Sequence, residues 1–320
     1  LKNPTTKRSK AALKLSKAVR YAVILTGSPI TNKIEDLYGQ FLILDHGLTF
    51  GSTISGFRAR YMKDVGSVFP KWVISKRGRK KVREMLERRS VRFTKEECLD
   101  LPERTFEIVR VEMSDAQERV YTDVQNDMFL THITKTLRLQ QVTSGFTGSA
   151  KAPVKIANTK MVKLIQILQE VTEEHKVIVW AKFRHDIECI RDEIEKKLKF
   201  TPAIVMGSRD NEPDKQRFME TEGCRVIICQ VNAGAHGLNL TQASYMVYYS
   251  NDWDLEARTQ SLDRNRRIGQ TKNQHVIDLV SVRDDGRITV DELVTGALAR
   301  KQNLVNDTDP GELSRILAEH

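Results

Sequence analysis

KVIVWAKFRHDIECIRDEIEKKL, residues 176–198, decides the class of fold. Its first six residues are nearly all apolar and rich in β-branched side chains, the pattern of a strand covered on both faces. The remainder sets Ile187, Ile190, Ile194 and Leu198 on one helical stripe among charged residues. The same alternation extends outward. Upstream, Met161, Val162, Ile165 and Leu168 mark a helix; downstream, AIVMG, RVIICQV, YMVYYS and HVIDLVS are further apolar strands. Together they predict an α/β domain with a parallel sheet and helices on both sides.

Toward the N-terminus, TSGFTGSAKAPVKIANTK (143–160) is rich in small residues and contains Pro153, so a domain boundary is expected there. LPERTFEIVRVEMSDAQERVY reads as a strand and then a helix capped by Ser114, with Gln117 at the capping-box position. Nearer the start, YAVIL has the pattern of a short buried strand, and TGSPITN leads into a helix. Asn32 and Glu35 would form that helix's capping box, and Ile34, Leu37, Phe41 and Leu44 its apolar stripe. A last helix is expected from the Thr289–Glu292 capping box, followed by the polar tail GELSRILAEH.

Lys+Arg at 52 against Asp+Glu at 42 gives a formal net charge of +10, which favours an anionic partner: nucleic acid first, a membrane surface second. No apolar run spans a bilayer and no secretory signal is visible, so the chain is expected inside the cell and off the membrane. Cys98, Cys189, Cys224 and Cys229 form no C-x-x-C pair and read as buried free thiols, and no metal site is expected.

In parallel α/β domains, chemistry sits on loops at the carboxyl ends of strands. NAGAHGLNL follows RVIICQV, and its Gly234 and Gly237 leave backbone amides open to a phosphate. Alone, that loop reads more simply as an ordinary turn. TGSP follows AVIL and offers the hydroxyls of Thr26 and Ser28, which alone suggest no more than a hydroxyl-stabilised turn. In QSLDRNRRIGQ (260–270), Gln260, Arg264 and Arg267 stand at i, i+4 and i+7 and would share a helical stripe, with Arg266 pointing away. Paired guanidinium groups can neutralise a phosphoryl group in transfer, or can simply form a basic helix end favoured by the macrodipole. KRGRKKVREMLERRSVRF, containing Arg79, Lys80 and Lys81, suits a phosphate backbone and a solvated helix face about equally.

The order LTGSP, WAKFRHDIECI, AGAHGLNL, DRNRRIGQ resembles motifs III, IV, V and VI of the Swi/Snf-like branch of the superfamily 2 helicase-related ATPases. Arg266 stands where that family commonly has histidine, LRLQQVTSG resembles the helix ahead of its second lobe, and the wording is closest to short viral and bacterial members. The resemblance implies a motor of two RecA-like lobes that closes on ATP and Mg²⁺ while gripping double-stranded DNA. On that pattern residues 1–45 would be the end of the first lobe, 46–155 helical protrusions, 156–288 the second lobe and 289–320 a helical tail. Arg264 and Arg267 would be catalytic arginine fingers, with Gln260, Gly237 and Asp263 at the nucleotide interface. Thr26, Gly27 and Ser28 would couple nucleotide to DNA, and Gly234, Asn239, Arg79, Lys80 and Lys81 would hold DNA.

The departures matter equally. The sequence contains no G-x-x-x-x-G-K-S/T loop, and its Asp-Glu pairs, 192–193 and 291–292, lie in amphipathic helical patterns, not at a strand end. The chain is therefore expected to begin inside the first lobe, beyond the phosphate loop and the magnesium-binding acid box. Two functions follow: part of a DNA-dependent ATPase that translocates on duplex, or, for this chain by itself, a DNA-binding module without hydrolysis.

Overall fold

Phe50 packs edge to face against Phe41, Phe57 and Tyr61, with ring centroids 4.9 to 5.9 Å apart, and around these rings the first 98 residues build their core. The computed structural model describes residues 1–26, 29–30, 33–67, 69–91, 93, 98–149, 152–207, 210–231 and 239–308, with side chains through 302. It divides into two units, Leu1–Cys98 with Asp254–Glu256 and Ala299–His320, and Leu99–Trp253 with Ala257–Leu298.

In the first unit, helix α1 (Lys7–Ser16) is capped by Thr6, whose hydroxyl accepts from the Ser9 N–H. Helices α2 (Glu35–Asp45) and α3 (Ile54–Tyr61), strand β1 (Met62–Asp64), its antiparallel partner β2 (Trp72–Ile74) and helix α4 (Lys76–Glu87) follow. Ile34, Leu37, Phe41, Val82 and Leu86 join the aromatic core, so the expected stripe of α2 faces inward. Its expected cap does not form as drawn: the helix starts at Glu35 after Ile34, which supplies no side-chain bond, and Asn32 lies outside the described residues. YAVIL also departs from expectation. Residues 21–25 are not a strand, and Tyr21, Val23 and Leu25 are exposed, Leu25 at 93%. A strand requires a ladder partner, and no described segment pairs with this one.

The second unit contains strand β3 (Arg104–Glu112), the helical hairpin α5 (Asp115–Asn126) and α6 (His132–Thr143), and the β-hairpin β4 (Phe146–Ser149) and β5 (Ala152–Lys155). Then come α7 (Thr159–Val171), β6 (Lys176–Ala181), α8 (Arg184–Leu198), β7 (Ala203–Val205), α9 (Glu212–Glu220), β8 (Val226–Gln230), β9 (Ala243–Tyr248), α10 (Leu255–Leu262), β10 (Gln274–Val282) and α11 (Val290–Thr308). Six of these strands, all but the β4–β5 hairpin, form one sheet, ordered β3-β10-β9-β6-β8-β7, with every neighbouring pair parallel. Side chains alternate across it. Val177 and Val179 of β6 meet Leu164, Leu168, Ile187, Ile190 and Ile194 from α7 and α8 on one face. Ile178 and Trp180 meet Phe218 of α9 and Ala257 of α10 on the other. Full burial of each such aliphatic side chain contributes about 1.5–3 kcal/mol.

The Ser114–Gln117 box caps α5 and the Thr289–Glu292 box caps α11. Two further details correct the sequence reading. Val162 lies off the buried stripe of α7, at 59% exposure. Cys98 is exposed, while Cys224 and Cys229 are buried and Cys189 half-buried. The compact units divide after Cys98, because β3 pairs with β10 through nine consecutive residues and so belongs to the sheet. GELSRILAEH lies outside the described residues.

Candidate nucleotide and nucleic-acid interface

The switch in strand order lies between β6, whose crossover leads toward β7, and β9, whose crossover leads toward β10. Such a point is where open parallel sheets bind ligands, at the carboxyl ends of the strands. The segment from α10 to β10 is built from the second of these strands. α10 is tied to the sheet by Arg258, which makes two bonds of 2.8 and 2.7 Å to the Asp278 carboxylate and lies 3.4 Å over the Tyr248 ring. The Tyr248 hydroxyl meets Ser261 Oγ at 2.6 Å.

The helix does not extend through the arginines. It ends at Leu262, so Gln260 is helical while Arg264 and Arg267 lie in the turn that follows, and the three share no helical stripe. The cause is competition for carbonyls. Arg104 Nη2 donates to Leu262 O at 2.6 Å, the Arg264 N–H turns back to Ser261 O at 3.1 Å, and Arg264 O accepts from Leu240 N at 2.9 Å. Asn265, fully buried, donates to Ala243 O and accepts from Arg104, while its carbonyl takes the amides of Gln270 and Gln274. Gln270 also donates to Thr241 O and Ala243 O. Asn265, Gln270, Gln274 and Arg104 are therefore the frame of the turn, and local reading of the sequence misses them because their partners lie far away along the chain.

The turn nevertheless brings the two arginines together. Arg264 is 7% exposed, and burial first, then the charge of Arg267, lowers its pKa, with Asp263 opposing. Arg267 is half-exposed and donates Nε to Asp263 O at 3.3 Å. Buried Arg264 and half-buried Arg267 thus place two guanidinium groups, whose forks match the oxygens of an anion, close together beside Asp263. Leu240, buried directly after exposed Asn239, links this turn to the glycine-containing loop through its bond to Arg264 O. Gly234 and Gly237 of that loop lie outside the described residues, as do Gly27 and Ser28. Thr26 is exposed, in irregular chain of the first unit.

In the first unit, α4 places Lys80 and Lys81 in solvent and Arg79 half-buried, while Val82 and Leu86 face the core. Gly78 is required where α4 meets Tyr61: an added Cβ would lie 1.9 Å from Tyr61 O. Packing through Gly78, Val82 and Leu86 orients the helix so that its basic face turns outward. Among the described residues no group of three or more His, Cys, Asp or Glu is arranged for a metal, and no helix is long and apolar enough to cross a membrane.

A family model described as the SNF2-related domain matches residues 1–177, and one described as the helicase conserved C-terminal domain matches residues 159–269. The chain belongs to the SNF2-related family, the Swi/Snf-like group of helicase-related proteins, and its six-stranded unit is a RecA-like lobe. Among solved structures, the Sulfolobus solfataricus SWI2/SNF2 ATPase core in complex with dsDNA is 26% identical with a TM-score of 0.51, over 97% of this chain and 66% of that one. Similar curated proteins include Zorya protein ZorD of Escherichia coli O139:H28, 24% identical over 96% of this chain and 30% of that protein. The putative ATP-dependent helicase/translocase YwqA of Bacillus subtilis is 24% identical over 95% of this chain and 34% of its own length. The chain thus spans about a third of the length of the curated relatives it matches.

Proposed function

We propose that this chain supplies the second motor lobe of an enzyme that hydrolyses ATP in response to double-stranded DNA and moves along the duplex. The observation that carries the reading is the framed arginine turn, with buried Arg264 and half-buried Arg267 close together beside Asp263. In the proposed reaction ATP supplies the γ-phosphoryl group, and the two guanidinium forks neutralise charge on its oxygens during transfer. Gln260 organises the nucleotide edge, and Asp263 positions an arginine there. The phosphate cradle and the Mg²⁺ ligands are assigned to no residue of this chain, because its sequence has neither a phosphate loop nor an acid box at a strand end. Gly237 would join that edge; Gly234, Asn239, Arg79, Lys80 and Lys81 would contact the DNA backbone; and Thr26, Gly27 and Ser28 would couple the two. The double-stranded DNA held by the Sulfolobus relative supports duplex as the partner.

The second reading, a module that holds DNA and hydrolyses nothing by itself, is favoured by the same lack of a phosphate loop. ATP hydrolysis by the complete gene product and by these 320 residues, each with and without duplex, separates the two. Turnover stimulated by DNA in the complete product supports the motor. Silence in both with DNA retained leaves the holding module.

A further inference from the structure

Helix α1 carries its charge in one sign. Lys7, Lys10 and Lys14, with Lys17 at the C-cap, stand at i, i+3, i+7 and i+10, share one stripe, and are all exposed. The opposite side is the packing side. Ser9 and Ser16 are buried there, Ala12 and Leu13 are half-buried, and Ser16 Oγ lies 3.1 Å from Nε2 of His46, the C-cap of α2. Arg8 adds a further cation, and the first acidic residue of the chain is Glu35. Among the described residues no carboxylate pairs with any of the four lysines.

Elementary electrostatics opposes this arrangement. Like charges three and four residues apart repel, and Lys7 and Arg8 stand in the first turn, at the positive end of the helix dipole. Elsewhere the chain offsets such repulsion: α9 pairs Lys215 with Glu212 and Arg217 with Asp214. On α1 the offset must come from an anion outside the helix. The lysine row is about 15 Å long, and over that length one strand of a duplex presents on the order of four phosphates. A membrane surface fits less well, because a helix lying in it needs an apolar face beside its cationic one. The packing side of α1 is closed by α2, and within the helix only Leu15 is an exposed large apolar side chain. We propose that the Lys7, Lys10, Lys14 and Lys17 row is a phosphate-binding ridge for a nucleic-acid backbone, additional to Lys80 and Lys81 of α4. Ammonium groups on flexible stems recognise charge and not base edges, so the ridge adds affinity without sequence preference. This rests on the reading of DNA as the partner and not on ATP hydrolysis.

The test measures binding of the whole protein to a labelled duplex by fluorescence anisotropy over a range of salt concentrations. Glutamine at all four positions is expected to weaken binding about tenfold or more at low salt and to reduce the slope of log K against log salt by about 0.9 for each lysine that meets a phosphate. Arginine at all four should preserve the slope. The glutamine variant should melt no lower than the parent, since like-charge repulsion is removed, so that weaker binding is not lost folding. Lys196→Gln with Lys197→Gln and Lys199→Gln, exposed lysines at the end of α8, controls for net charge and should leave the slope nearly intact. An unchanged slope in the α1 variant, or an equal fall per charge in the control, would overturn the ridge. If the slope falls for Lys80→Ala with Lys81→Ala and not for the α1 variant, DNA remains the partner and the ridge alone fails; a parent that binds no duplex sinks both. Loss of binding to phosphatidylserine vesicles with the DNA slope unchanged would give the row to a membrane surface instead.

Discussion

Arg264 shows how backbone and side chain can separate their duties. Its N–H and C=O hold the turn to Ser261 and Leu240, and those bonds persist whatever side chain is present. Replacement of Arg264 or Arg267 by alanine should therefore leave the fold intact while lowering ATP turnover of the complete protein by about 10³-fold or more, with DNA affinity little changed. Unchanged turnover in either variant removes that arginine from the reaction. Asp186 offers a second test at this scale. Its carboxyl is held up at about 7 by burial, against about 3.9 in an unfolded chain. Between those values the unfolded chain releases the proton and the folded one keeps it, so its contribution to stability is full below pH 4, falls as pH rises and is lost above 7. The slope is at most about 1.4 kcal/mol per pH unit. Asp186→Asn should flatten it, seen as a smaller loss of Tm between pH 5 and pH 8 than in the parent; parallel profiles would show an ordinary carboxylate.

At the scale of elements, α4 is a basic ridge fixed by a close backbone approach at Gly78. Arg79 is half-buried, so its removal would disturb packing as well as charge, whereas Lys80 and Lys81 are exposed. Lys80→Ala with Lys81→Ala is expected to weaken duplex binding uniformly across sequences and to reduce the salt slope by about 0.9 for each phosphate no longer neutralised; an unaltered slope would mark the ridge as solvated only. The central strands were legible in the sequence because burial on both faces writes an unbroken apolar run. β3 was legible as a strand but not as a member of the sheet, since its partner Gln274 lies 170 residues beyond Arg104. YAVIL carries strand-like side chains without a described partner, and propensity alone does not make a ladder. Likewise the end of α10 is set by Arg104, 158 residues before Leu262, and no local window contains that information. The motif order in the second lobe was readable, while the geometry that unites Arg264 with Arg267 depends on the frame of Asn265, Gln270 and Gln274.

For the whole molecule, each of the two units has its own apolar core. Unfolding should accordingly depart from a single transition. Trp72 lies in the first unit and Trp180 in the second, where it is fully buried. In urea, variants retaining only one of these as the fluorescent reporter are expected to give different midpoints, with the larger sheet-based unit the more resistant; coincident curves would show that the cores melt together. The long reach of β3 also bears on how the chain is made. A ribosome adding about 5–20 residues per second needs on the order of 10 to 30 seconds to produce Gln274 after Arg104. Through that interval Arg104–Glu112 waits as a synthesised strand without its neighbour, with Phe106 and Ile108 available to any other edge it meets. The nascent chain thus carries a hazard of mispairing between the synthesis of β3 and that of β10, and chaperone demand should fall once β10 has emerged.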